Sequence, residues 1–333
     1  MASLTLSVLD LAPVGSGTTA AQAFQNTLDL ARRVERLGYR RYWLAEHHNM
    51  PGIASSAPEI LIGQVARETS TIRVGSGGIM LPNHTPLHIA EAFRTLEALF
   101  PGRIDLGIGR AAGTDARTAL ALGRIPGARG GEDLPGQLAD LFAFGGAGFP
   151  EGHSFRSVAA VPSDVPLPPV WLLGSSDYGA RLAGELGLGF AFAHHINPYG
   201  TLEAMQIYRD AFTPSRHLDA PRTILTVSVI CAETALRAEE LASSLDLAWL
   251  RLYSGQPGPL PSPAEARTYP YTPQERMHVE NNRTRLILGE PAGVWDQLCA
   301  LAGRAGTDEV MVTTMVHDHG ARVRSYELLA QQQ

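Results

Sequence analysis

Residues able to carry chemistry gather at a few points of this 333-residue chain. His47 and His48 stand side by side after Glu46. Neighbouring residues on an extended chain face opposite sides, so one ion cannot easily hold both, and only one imidazole can turn into a given site. With an unperturbed pKa of about 6.5, that imidazole can exchange protons near neutral pH. His47 is the candidate, and His48 is left to pack on a surrounding layer. Arg110 follows Gly107-Ile-Gly109, and its planar guanidinium suits a phosphate better than a point charge would. Its glycines do not have the spacing of a dinucleotide fingerprint. In Gly174-Ser175-Ser176-Asp177-Tyr178, backbone N–H groups and serine hydroxyls can converge on an anion at a helix start, although Ser176 or Asp177 could simply cap that helix. His84 and His88 have the i, i+4 spacing of a helical metal pair, but Pro86 places a helix start between them, which favours a surface or capping role. His317 and His319 alternate on one face, and they are the better metal-like pair.

Composition narrows the chemistry. The net charge is −6, and all 27 basic residues are arginines. With no lysine there is no Schiff base and no Walker lysine. The acidic balance and scattered arginines argue against a nucleic-acid partner. Two cysteines are too few for a disulfide framework or a cysteine zinc site. The apolar residues 4–9 have no basic residue before them and read as a first strand, not a signal peptide. No apolar run reaches the roughly 18 residues that span a membrane, so a soluble cytoplasmic protein is expected.

These candidates sit where short apolar runs end. Strand-like segments fall at 4–9, 41–45, 71–76, 103–108, 170–173, 189–193, 223–231 and 309–314. Helical spacing follows each of them, at 20–37, 58–68, 86–99, 132–144, 177–186, 201–211, 235–252 and 321–329, with a further helix at 294–302. Eight strand–helix units of about 42 residues give the order of a (β/α)8 TIM barrel in one domain, 1–333. Insertions follow strand 4 and helix 7, and the Pro-rich residues 255–273 read as a loop or lid. A doubly wound sheet is the competing architecture. In a barrel, the strand ends that carry His47, Gly77-Gly78, Arg110, Gly174–Asp177, His194-His195 and His317 would share one rim.

In order along the chain, YWLAEHHN at 42–49, RVGSGGIMLPNHTPLHIAE at 73–91, FPGRIDLGIGRAAGTD at 100–115 and WLLGSSDYGARLAGELG at 171–187 resemble the bacterial luciferase-like flavin monooxygenase superfamily. The resemblance runs over nearly the whole chain. It implies a barrel that binds FMN, usually as a homodimer, and reacts reduced flavin with oxygen through a C4a-peroxyflavin to oxygenate a small organic substrate. Carried over by residue, His47 is the catalytically important histidine, and Gly77 and Gly78 form a non-proline cis peptide under the flavin ring. Arg110 contacts the FMN phosphate, while Gly174, Ser175, Ser176 and Tyr178 fall in the phosphate loop. The light-emitting members carry a reactive cysteine just before the arginine. Here that position is Gly109, so light emission is not implied.

With no nicotinamide site visible in the sequence, reduced FMN is expected from a separate flavin reductase. Three other readings stay open: a deazaflavin (F420)-dependent hydride-transfer oxidoreductase of the same fold, a metal-dependent hydrolase using His317 and His319, and a non-catalytic flavin-binding relative. The substrate pocket would be built from residues 11–19, 110–130 and 255–285, all irregular in sequence.

Overall fold

The strand-like runs form strands because they are short, largely apolar and supplied with β-branched and aromatic residues, and in the computed structural model, which describes residues 4–124 and 133–333, they close on themselves. The strands are β1 (Thr5–Asp10), β2 (Arg41–Leu44), β3 (Arg73–Ser76), β4 (Ile79–Met80), β5 (Ile104–Gly109), β6 (Val170–Gly174), β7 (Gly189–Ala193), β8 (Thr223–Cys231), β9 (Leu286–Gly289) and β10 (Glu309–Thr313). All pair in parallel, in the order β10-β1-β2-β3-β5-β6-β7-β8, and the register Val310–Leu225 to Thr313–Ser228 between β10 and β8 closes the ring. That closing pair makes the molecule a (β/α)8 barrel and rules out the open doubly wound sheet.

The helices are α1 (Ala20–Arg36), α2 (Pro58–Glu68), α3 (Pro86–Leu99), α4 (Ala116–Ala121), α5 (Leu134–Phe142), α6 (Asp177–Glu185), α7 (Thr201–Ala211), α8 (Ala235–Tyr253), α9 (Pro263–Thr268), α10 (Pro273–Arg283), α11 (Pro291–Ala305) and α12 (His319–Ala330). Their apolar faces pack on the outward residues of the strands in one large core. Side chains alternate across each strand, so a second cluster of Leu9, Trp43, Trp171, Ala191, Ile224 and Met311 fills the barrel interior. Beneath it lies a charged floor. Arg41, 3% exposed, reaches Asp105 at 2.6 Å and Glu309 at 2.8 Å. Ser7, Arg73 and Trp43 bond the same two carboxylates.

Several boundaries differ from the sequence reading. The fourth helix runs Leu134–Phe142 and continues into a wider turn, Ala143–Ala147. Glu132, its expected start, lies outside the described residues, as do 125–131 of the insertion. Residues 255–273 are not simply a loop, because they contain α9. Nor do they hang free as a lid, since Leu260 exchanges backbone bonds with Val14 and Ser16, each 2.8 Å. β9 was not foreseen. The nine-residue β8 is long enough to pair with β10 along Leu225–Ser228 and with β9 along Ser228–Cys231.

Candidate active site

The C-terminal strand ends open into one cavity of about 480 Å3, within the size range of cofactor pockets. Every residue singled out above for catalysis or cofactor binding lines it: His47, Gly77, Gly78, Arg110, Gly174, Ser175, Ser176 and Tyr178.

The His-His pair divides as alternation requires. His47 lines the cavity, and its buried Nδ1 has no partner among the described residues. Burial lowers its pKa to about 4, against the raising influence of Glu46. The ring is therefore neutral at pH 7, not poised near 6.5. His48 turns to the Glu46 carboxylate, 2.9 Å away.

Glu46 is 0% exposed and organises this side of the rim. It accepts hydrogen bonds from His84 at 3.0 Å, Asn83 at 3.1 Å and the Met80 backbone at 2.8 Å, besides its contact with His48. Burial pushes its carboxyl up, but the His84 and His48 bonds outweigh that and hold it down to about 2. His84 responds in kind. Burial lowers its pKa, Glu46 reverses this, and the balance is upward. His84 therefore has neither the surface nor the capping role expected of it, and Thr85 accepts the first bond of α3 instead.

Gly77 and Gly78 are joined by a cis peptide bond. A Cβ on Gly78 would lie 2.7 Å from the Gly107 carbonyl oxygen, so only glycine lets this strand end lie flat against β5. Gly107, which lacks the spacing of a dinucleotide fingerprint, has a similar packing reason: a Cβ there would come 2.1 Å from the Ser76 carbonyl oxygen. At Gly109, the Met80 sulfur lies 2.8 Å from where a Cβ would sit.

The anion-binding candidates also converge. The Arg110 guanidinium lies 4.2 Å over the Tyr178 ring. Ser176 is the N-cap residue of α6, but its hydroxyl makes no capping bond, and the Asp177 carboxylate bonds the Tyr178 N–H at 2.9 Å. Among the described residues no other group bonds that hydroxyl, which leaves it for a ligand. Asn197, in the turn between β7 and α7, donates to the Ser175 carbonyl at 2.8 Å and braces the loop.

His195 went unassigned from sequence, yet it lines the cavity. Its Nδ1 lies 3.2 Å from the Thr226 carbonyl. A carbonyl only accepts, so Nδ1 carries the proton and a neutral ring leaves Nε2 as an acceptor. Burial again lowers the pKa to about 4. The second His-His pair was the available signal, because it divides like the first: His194 turns away to Thr201 at 2.7 Å. The remaining wall comes from α8 and the segment after it, with Trp249, Leu260, Asn282 and Arg285. The rim's other histidines disperse. His317 bonds the Ser16 carbonyl at 3.0 Å, and His319 bonds Asp29 at 2.9 Å. Among the described residues, no group of three His, Cys, Asp or Glu side chains could hold a metal ion.

Residues 4–309 match the family model described as luciferase-like monooxygenase. A luciferase-like monooxygenase of Escherichia coli K12 is 44% identical over 98% of this chain and 96% of its own. The crystal structure of apo-MsnO8 superposes with a TM-score of 0.89 at 42% identity, covering 98% of both chains. The oxygenating constituent of 3,6-diketocamphane monooxygenase from Pseudomonas putida, a type II Baeyer–Villiger enzyme in complex with FMN, superposes with a TM-score of 0.70 at 20% identity, covering 99% of this chain and 97% of its own, which shows likeness of fold.

Proposed function

Because the chain belongs to the luciferase-like monooxygenase family, we propose that its cavity takes reduced FMN and, with molecular oxygen, oxygenates a small organic substrate. The observation that carries this reading is the convergence of Arg110, Tyr178 and the uncapped Ser176 on the same cavity as Gly77-Gly78 and His47. These residues fit the cofactor: a cation and free hydroxyl at a helix start for its phosphate, a side-chain-free strand end for its flat ring, and an unpartnered imidazole nitrogen beside it. Reduced FMN supplies two electrons and the site of oxygen activation. The protein's part is to hold and shelter it. Leu9, Leu172, Leu173, Met311 and Trp249 make the wall apolar and limit water. Neutral His47 can accept a proton at its free nitrogen or donate the one it carries, as the substrate requires. The 3,6-diketocamphane monooxygenase constituent, of like fold, is in complex with FMN, which accords with a flavin in this cavity. A separate flavin reductase as electron source, a homodimer and a cytoplasmic location complete the proposal. No described helix is long and apolar enough to cross a membrane.

The test has two parts. Titration with FMN, riboflavin and a deazaflavin should favour FMN, and Arg110→Gln should cost FMN roughly tenfold or more in affinity while leaving riboflavin unchanged. Anaerobic protein loaded with reduced FMN is then mixed with oxygen, and the oxidised-flavin absorbance should return with a delay that free FMN does not show. Preference for the deazaflavin with no oxygen reaction would replace this reading with hydride transfer. FMN binding without oxygen consumption would make the protein a binding relative.

A further inference from the structure

Among the described residues, the cavity lining contains two arginines and no aspartate or glutamate. Arg110 is accounted for by the cofactor phosphate. Arg285 is not. It sits between α10 and β9, on a wall built from other elements than β5, β6 and α6, and it is half-buried.

One arginine on each of α8, α9 and α10 is tied down. Arg283 holds Asp246 through two bonds of 2.6 and 2.7 Å, Arg251 holds Glu265 at 2.9 Å, and Arg267 holds Glu240 at 2.6 Å. Arg285 has no carboxylate partner among the described residues. It donates one bond to the Tyr253 hydroxyl at 3.2 Å and lies 5.6 Å from the centre of the Trp249 ring. A guanidinium has five N–H donors, so most remain available. Asn282, one turn earlier, also faces the cavity. The wall that α8 and Leu260 give this cavity is apolar: Leu245, Ala248, Leu252 and Leu260, with the indole of Trp249 that Arg285 approaches. Such a cation is matched by a ligand that pairs its charge while covering the apolar wall. A ligand that does so has an anionic head and an apolar body.

We infer that the substrate oxygenated at this site carries a carboxylate or similar anionic group held by Arg285 and Asn282, with its hydrocarbon part against Trp249 and the α8 leucines. This rests on the flavin reading for the word substrate, but the anion subsite itself does not. Arg285 is then a specificity-determining residue, absent from the motifs that define the cofactor site.

The probes are octanoate, octanol and octylamine, alike in chain and different in head-group charge, titrated calorimetrically into FMN-saturated protein. Octanoate should bind at least roughly tenfold more tightly than octanol, the size expected of hydrogen bonds to a charged group, and octylamine most weakly. Arg285→Gln should erase the preference for octanoate while FMN affinity stays within about twofold. Equal binding of octanoate and octanol overturns the inference, as does a preference that survives Arg285→Gln. It also fails if Arg285→Gln weakens FMN by tenfold, because the arginine then serves the cofactor, or if Arg110→Gln rather than Arg285→Gln removes the preference. Should Arg285→Gln not fold, Arg285→Lys decides: octanoate affinity should fall severalfold with some preference kept, and an unchanged affinity overturns the proposal. If the protein binds no FMN yet shows an Arg285-dependent octanoate preference, the cofactor reading fails and the anion subsite stands.

Discussion

His47 and His195 enter the cavity as neutral imidazoles, and that sets how each can act. Burial moves both pKa values to about 4, so neither gains a proton as pH falls through 6.5. Turnover limited by His47 protonation should show its acid limb near pH 4. An inflection near 6.5 would place the ring in contact with bulk water. His47→Ala should keep FMN affinity within a few-fold and lose roughly 100-fold or more in turnover; wild-type turnover in that variant would remove His47 from the mechanism. Stability carries the same signature. The unfolded chain takes up protons on these rings around pH 6.5 while the folded one waits until about 4. Their contribution is therefore full above pH 6.5 and lost as pH falls toward 4. The pH dependence of Tm in that window should flatten in His195→Gln, and an unchanged slope would mean that the ring titrates normally.

The elements bearing these residues are held by buried polar clusters more than by their own propensity. Glu46 ties the end of β2 to β4 and to the turn Leu81–Asn83 through four partners. Glu46→Ala would strand His84, His48, Asn83 and the Met80 N–H, at a cost of about 3 kcal/mol or more. Urea denaturation should register that loss, and a change under about 1 kcal/mol would show the cluster to be solvated. With its pKa held at about 2 against an ordinary 4.5, this stabilisation is complete above pH 4.5 and is lost as pH falls toward 2. The segment over the cavity mouth is fixed in the same manner, by Leu260 against Val14 and Ser16 and by Arg283 against Asp246.

For the whole molecule, the two ends of the barrel divide the labour. The C-terminal rim carries the cavity, while the opposite end is sealed by Arg41, Asp105, Glu309 and Arg73 beneath the tryptophan pair Trp43–Trp171. Asp105→Leu leaves two arginines without their shared carboxylate and should lower stability by about 3–5 kcal/mol in equilibrium denaturation. FMN affinity in the folded fraction should not change, because the floor touches no cavity residue named for the cofactor. A large loss of FMN affinity at unchanged stability would show that floor and rim are coupled.

Some of this was legible in the chain alone. Alternating apolar runs and helical spacing locate the eight barrel strands to within a residue or two, because burial on both faces of a parallel strand demands continuous apolar residues. The four motifs place His47, Gly77, Gly78, Arg110, Ser175, Ser176 and Tyr178 on one rim, because a barrel gathers its strand ends there. Other features depended on contacts between segments distant in sequence. Spacing alone left the order of strands open between a ring and an open sheet, and the pairing of β10 with β8 settled it. Glu46 looks like any acidic residue until Asn83 and His84, nearly forty positions on, close over it. The proton affinity of His47 depends on how much water the fold removes from around it, a property of the packed surroundings and not of the dipeptide. Arg285 belongs to no motif, and only the closing of α8, α10 and β9 over the mouth sets it in the cavity wall.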